Sequence, residues 1–277
     1  MIDKKIKKDG FFLIAEAGIN HNGNLDKAFK LVDSAKSSGA TAIKFQTYKT
    51  EKRVSRSNPA FNILKKCELD FHSFEKLKKY CDKKKIIFFS TPFDKESVDF
   101  LTKIKVKLFK ISSFDTSNNE LIDHVISKKI PTIISTGLSS LKEIKNILKK
   151  FNLKKIETHL LHCISTYPNK EENSILSNIQ YLKEKFNCDV GLSDHTNNIK
   201  TSIYSYLLGA RIFEKHFKLS NTDRCVDASV SITPKQMKQL ANELYNIPKI
   251  LGTPKFGVRG DEKNAVIFKR KRIYEQS

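Results

Sequence analysis

The chain has 277 residues, 39% hydrophobic and 29% charged, with 51 Lys and Arg against 30 Asp and Glu. That length suits one α/β barrel as a single domain, and no apolar run reaches the roughly 18 residues that a membrane-spanning helix needs. The net charge of +21 is nearly all lysine, only seven residues being Arg, and the lysines are spread along helical stretches rather than gathered with aromatics in one stripe, so nucleic acid is not the expected partner.

In chain order, MIDKKIKKDG is basic and lacks the apolar segment and cleavage site of a secretory signal. A cytoplasmic protein is expected. Eight apolar, β-rich runs then recur: Phe11 to Ala17, Thr41 to Thr47, Ile86 to Thr91, Leu108 to Ser113, Thr132 to Thr136, His159 to Cys163, Asp189 to Ser193 and Arg211 to His216. Amphipathic stretches with apolar residues three or four apart lie between them, as in Leu25 to Ser38, Phe71 to Lys84, Lys95 to Lys103, Leu141 to Lys149 and Thr201 to Leu208. Strand and helix alternating in this way predict a parallel sheet wrapped by helices, and eight strands close a (β/α)8 TIM barrel. Tyr48 to Lys66 is the longest irregular piece and is expected to lie over the mouth. A last helix is predicted over Pro234 to Leu251, before a linker-like stretch. The expected organisation is a barrel over 1–255 and a basic tail over 256–277. The five cysteines form no C-x-x-C pair and are odd in number, which favours reduced thiols, and Cys163 and Cys188 are expected to pack as small hydrophobes.

Active sites of this fold are built at the C-terminal ends of the strands. Those ends offer Glu16; Lys44 and Gln46; Ser90 and Thr91; Lys110, Ser112, Ser113 and Asp115; Ser135 and Thr136; Ser165 and Tyr167; Ser193 and His195; Glu214 and His216. A single hydroxyl there is more often a helix cap. A lysine bounded by apolar residues, as in AIKFQ or LFKIS, is different: buried, it must be paired or lose its charge, so Lys44 and Lys110 point to an anionic substrate. His195 and His216 are one strand-helix unit apart, at the ends of adjacent strands. Paired imidazoles at matched positions suit a divalent ion such as Mn²⁺ or Mg²⁺ with positions left for substrate. Glu16 and Glu214 would manage a proton or a water if burial raises a pKa, or else pair with the barrel lysines. Of the other histidines, His21 alone is kept as a mouth candidate.

The ordered set IAEAGINHNGNL, IKFQTY, FFSTPFD, FKISSFD, IISTG, LLHCISTYP, GLSDHT and FEKHF resembles the N-acetylneuraminate (sialic acid) synthase family, from about Phe11 to Pro234. The resemblance implies a (β/α)8 transferase of nonulosonic acid biosynthesis. Such an enzyme joins phosphoenolpyruvate to an N-acyl hexosamine with Mn²⁺ or Mg²⁺ and releases a nine-carbon keto sugar acid and phosphate. By position it implies that Lys44, Thr91, Lys110, Ser113, Ser135 and Ser193 hold phosphoenolpyruvate and that His195 and His216 bind metal. Glu16 would handle the attacking water. Glu214, Tyr167 and Asp227, with Gln46, Asp115 and Ser165 beside them, would face substrate.

Three departures bear on the acceptor. Lys110-Ile111-Ser112-Ser113-Phe114-Asp115 replaces the common K-I-G-S-G-E and is similar to the pseudaminic acid synthase branch, as is Ser165-Thr166-Tyr167; Cys225-Val226-Asp227 replaces G-P-D. The acceptor expected is therefore of the N-acetylmannosamine or 2,4-diacetamido-trideoxyhexose type. The family's C-terminal antifreeze-like domain, which lends an arginine across a homodimer, is not encoded here; FKRKRIYEQS resembles the opening of the linker to it, so either the domain is absent in nature or the sequence stops before it. Two alternatives follow: a phosphoenolpyruvate-binding barrel that needs that domain from elsewhere, and, from the charge alone, a basic nucleic-acid binder.

Overall fold

The computed structural model describes residues 1–269. Eight parallel strands pair in sequence order and close on themselves: β1 (Phe12–Gly18), β2 (Ala42–Thr47), β3 (Ile87–Pro92), β4 (Phe109–Ile111), β5 (Thr132–Ser135), β6 (Thr158–Cys163), β7 (Val190–Asp194) and β8 (Ile212–His216). Each strand meets its sequence-based expectation to within a residue or two. The seam is β1 on β8, with Glu16 opposite His216. The (β/α)8 barrel is confirmed.

The outer ring carries α2 (Leu25–Ser37), α5 (Phe71–Lys84), α6 (Lys95–Lys103), α7 (Asn119–Ser127), α8 (Leu141–Leu153), α9 (Asn178–Phe186), α10 (Lys200–Leu207) and α11 (Pro234–Leu251). Sequence boundaries are sharp where caps exist. Ser140 and Glu143 close a capping box on α8, and Thr233 with Gln236 does the same on α11. The segment expected to be irregular after β2 folds into two short helices, α3 (Thr50–Arg53) and α4 (Phe61–Cys67). The linker-like stretch holds an exposed 3₁₀ segment, Gly260–Phe268; most of FKRKRIYEQS lies outside the described residues.

One element was not expected. The basic opening segment forms α1 (Ile2–Asp9) and ends on Gly10 in the left-handed region. Its Ile2 is fully buried against Phe12, Ile14, Ala42, Phe89, Leu108, Ile133, Leu161 and Ile212, with Met1 and Ile6 packed alongside. These side chains alternate along the strands with residues that face the helices, such as Leu13, Ile43, Phe109, Leu160 and Phe213. The barrel interior is thus closed at its N-terminal end by an apolar plug. Each large side chain buried there contributes about 1.5–3 kcal/mol.

Candidate active site

Following the same inward register past the plug, the next residues are polar: Glu16 on β1, Lys44 on β2, Lys110 on β4, Ser135 on β5, Ser193 on β7 and Glu214 on β8. They floor a cavity of about 260 Å³ that opens at the C-terminal mouth. Every residue expected to bind substrate or metal or to act on the water lines it except Asp115 and Ser165. Those two stand one bond behind the wall: Asp115 accepts from Ser112 Oγ at 2.8 Å, and Ser165 Oγ lies 3.0 Å from Ser113 Oγ. The 3₁₀ turn Ser113–Asp115 directly after β4 brings Asp115 back onto Ser112. His21 is a correction. It is fully buried beside Phe45, its Nδ1 accepts from the Gly23 amide at 3.1 Å, and it does not line the cavity. Burial, with Lys27 nearby, lowers its pKa to about 4, so it is a neutral core histidine.

The four charges at the floor are unevenly shared. Lys44 Nζ lies 2.9 Å from Glu16 Oε2 and 3.6 Å from Glu214 Oε2, and donates to Thr91 Oγ1 at 3.2 Å. Burial would lower its pKa, but the two carboxylates outweigh burial and raise it. Lys110 Nζ donates to Ser135 Oγ at 2.6 Å and to the Ile111 carbonyl at 3.2 Å; its approach to Glu214 is a long 3.9 Å. Burial therefore dominates there and the pKa falls. Lys44 already has its counter-charge from the protein. Lys110 is the ammonium that a bound anion would satisfy.

The same asymmetry separates the carboxylates. Burial raises the Glu16 pKa; Lys44 and His216 oppose the rise and the neighbouring Glu214 charge adds to it, so the net shift is upward. Glu214 is also buried, but Lys110, Lys44 and a 3.0 Å bond from Ser193 Oγ hold it well below the ordinary range. The two environments push neighbouring carboxylates in opposite directions, a division typical of acid and base pairs. Close approach is needed for this. Gly18 sits at φ +50° beside a register shift in β1, and a Cβ there would meet Glu16 Oε1 at 3.1 Å and Gln46 Nε2 at 3.4 Å.

Above the floor stand the two imidazoles, ring centroids 5.4 Å apart, with the Tyr167 ring 4.1 Å from His195 and 5.8 Å from His216. His195 Nδ1 lies 2.7 Å from the Ile164 carbonyl, which fixes the N–H there and leaves Nε2 with its lone pair. Burial, helped by the His216 charge, lowers its pKa to about 4, so it is neutral. His216 Nδ1 lies 3.3 Å from Asp227 Oδ2 without hydrogen-bond geometry; burial opposes its charge, but Asp227 prevails and raises the pKa. A neutral, oriented imidazole beside a second one backed by a carboxylate fits a divalent ion. Among the described residues a separate group of three potential metal donors, Asp3, Glu157 and His159, lies at the opposite, plugged end.

Several working residues escaped the sequence reading. Asn20, fully buried, accepts from the Asp227 amide at 2.9 Å and donates to the Phe217 carbonyl and Ser231 Oγ, each at 2.9 Å. It ties the turn after β1 to the loop that carries Asp227. Arg53, at the end of α3, also lines the cavity. Cys163 was expected to be mere packing. It lines the cavity, accepts from the Gly137 amide at 3.2 Å, and burial raises its pKa, so it stays a thiol. Behind the wall, Lys215 and Asp194 form a fully buried pair at 3.2 Å.

Comparisons with known proteins give the family of the chain. Residues 31–256 match the model of the NeuB family. The chain belongs to the NeuB family. An N,N'-diacetyllegionaminic acid synthase of Campylobacter jejuni is 35% identical over 93% of this chain and 83% of its own, and a pseudaminic acid synthase of the same organism is 34% identical over 94% and 78%. The solved N-acetylneuraminic acid (sialic acid) synthetase of Leptospira borgpetersenii, in complex with citrate, superposes with a TM-score of 0.87 at 37% identity, covering 93% of this chain and 90% of that one. This NeuB-family chain is an enzyme of the synthase type and carries out a sialic-acid-synthase-type condensation. Legionaminic and pseudaminic acid synthases stand at nearly equal identity to it. Among the described residues no helix is long and apolar enough to cross a membrane.

Proposed function

We propose that this NeuB-family enzyme condenses phosphoenolpyruvate with an N-acyl hexosamine, of the N-acetylmannosamine or 2,4-diacetamido-trideoxyhexose type, to give a nonulosonic acid and phosphate. The observation that carries this reading is Lys110, a buried ammonium at the cavity floor whose nearest carboxylate is 3.9 Å away. An anionic substrate completes its pairing. Lys44 adds a second cation, and the hydroxyls of Thr91, Ser113, Ser135 and Ser193 line the same cavity and suit phosphate and carboxylate oxygens.

In the reaction, C3 of phosphoenolpyruvate forms a bond to the aldehyde carbon of the open-chain sugar as its C=O π bond opens, water adds to the electron-poor C2, and the proton that this water releases ends on the former aldehyde oxygen as a hydroxyl. Glu16, with its raised pKa, accepts the proton of that water, while Glu214 remains ionised and stabilises the positive charge that develops at C2. The C2–O bond to phosphate then breaks, the proton of the C2 hydroxyl leaves with the phosphate, and the keto group remains. Tyr167 and Asp227, with Gln46, form the sugar-facing wall, and Asp115 and Ser165 support it from behind. His195 and His216 would hold Mn²⁺ or Mg²⁺, which when bound polarises the aldehyde oxygen. The remaining parts of this reading are a barrel over 1–255, a basic tail over 256–277, a homodimer and a cytoplasmic location.

The test is phosphate release. It is expected only when phosphoenolpyruvate, an acylated hexosamine and Mn²⁺ or Mg²⁺ are present together, and mass spectrometry over a panel of N-acetyl and 2,4-diacetamido hexoses identifies the acceptor. Release without any sugar, or none with every sugar, refutes the reading.

A further inference from the structure

Among the described residues one guanidinium lines the mouth, and the chemistry described so far does not use it. Arg53 ends the short α3 in the segment between β2 and α5. Its Cζ lies 3.6 Å from the centroid of the Phe93 ring and 4.7 Å from that of Tyr48. Its Nη1 donates to Gln46 Oε1 at 2.9 Å, and it lines the cavity together with Gln46 and Phe93. A guanidinium has five N–H donors in a rigid planar fork. Gln46 engages one of them.

Two further facts narrow its role. Among the described residues the ion pairs made by arginine belong to Arg259, so Arg53 has no carboxylate in direct contact. Burial lowers its pKa, and Asp115, Asp227 and Glu16 offset this only from a distance. The outer wall thus presents a donor fork on one side and the Asp227 carboxylate on another, while the lysines hold the floor. A polyhydroxylated, uncharged ligand needs both donors and acceptors, and a planar amide carbonyl matches a flat, fixed fork better than it matches a mobile ammonium.

We propose that Arg53 is a specificity-determining residue on the acceptor side: its guanidinium, held over the Phe93 ring and steered by Gln46, donates to the acylamino carbonyl of the incoming sugar. The inference rests on the condensation reading above and adds the group that selects an acylated acceptor. It also places that donor within this chain. Arg53 takes no part in bond making; it sets which sugar is held and at what angle.

Steady-state phosphate release by Arg53→Gln and Arg53→Lys, with each substrate varied in turn, tests this. For Arg53→Gln the KM of the acylated sugar is expected to rise about tenfold or more, equivalent to about 1.4 kcal/mol. The KM of phosphoenolpyruvate is expected to move less than about twofold. The preference for the acylated sugar over its free-amine counterpart, as a ratio of kcat/KM, is expected to shrink by a similar factor, since the carbonyl contact is what is lost. Arg53→Lys keeps the charge but not the fork and is expected to recover little of that preference. Phe93→Leu keeps Arg53 but removes its platform, and a smaller rise in the sugar KM, about threefold, is expected. Equal loss in both substrates, or an unchanged acyl preference in Arg53→Gln, overturns the proposal. If the unaltered enzyme releases no phosphate, the condensation reading falls and takes this one with it; if it turns over while Arg53→Gln keeps its acceptor KM and preference, only this one falls.

Discussion

The two ends of the barrel are made from the same eight strands in the same inward register, yet they are opposite in chemistry. On β1 the inward series runs Phe12, Ile14, Glu16; on β8 it runs Ile212, Glu214, His216. Within two residues the interior changes from an apolar plug under α1 to a floor of four buried charges. One step along a strand, about 6.6 Å, separates a position that serves stability from one that serves reaction. The difference teaches that this interior is two layered environments stacked on one another. The charged layer can be kept because the apolar one supplies the folding free energy.

The sharpest way to break that separation is at the floor. Lys110→Met is close in shape but uncharged, and phosphate release should fall about 10³-fold, the scale expected for losing a key charge-stabilising group. Its thermal midpoint should stay within about 3 °C of the unaltered chain. A large loss of stability instead would make Lys110 part of the scaffold. At the other end, Phe12→Ala should lower the unfolding free energy by about 3 kcal/mol in urea titration, because it opens a cavity inside the plug. The turnover of the molecules that remain folded should be unchanged; a parallel fall in kcat would mean that the plug and the floor are coupled. The smallest effect is expected at the rim. Asp227→Asn keeps the shape beside His216 but withdraws its counter-charge, and the Mn²⁺ concentration for half-maximal activity should rise about 10- to 100-fold. No change there would remove Asp227 from the support of the imidazole pair.

The polar layer was legible in the sequence because strands of period two leave no choice of face: once Lys44, Lys110, Glu214 and His216 are placed near strand ends, they point to one mouth. The plug was not legible. IDKKIKKD offers only two isoleucines to bury, and its helix is held by the barrel floor more than by its own pattern. Arg53 escaped because it is fixed by the packing of a loop onto Phe93 and Tyr48, a long-range contact that no local period announces. Asp115 stands behind the cavity wall because a 3₁₀ turn directly after β4 ends the strand's alternation and brings it back onto Ser112, which no strand period announces. His195 and His216 were brought together as their spacing implied.

The seam between β1 and β8 has a further consequence. Glu16 comes from the first strand and Glu214 and His216 from the last, and Asn20 stitches that first turn to a loop 207 residues later. A chain that has formed only its early strands holds the ammonium groups without Glu214 and His216. Enzymatic competence therefore arrives all at once, when the ring locks, and split halves of the polypeptide should be inert apart and regain turnover only on reassociation.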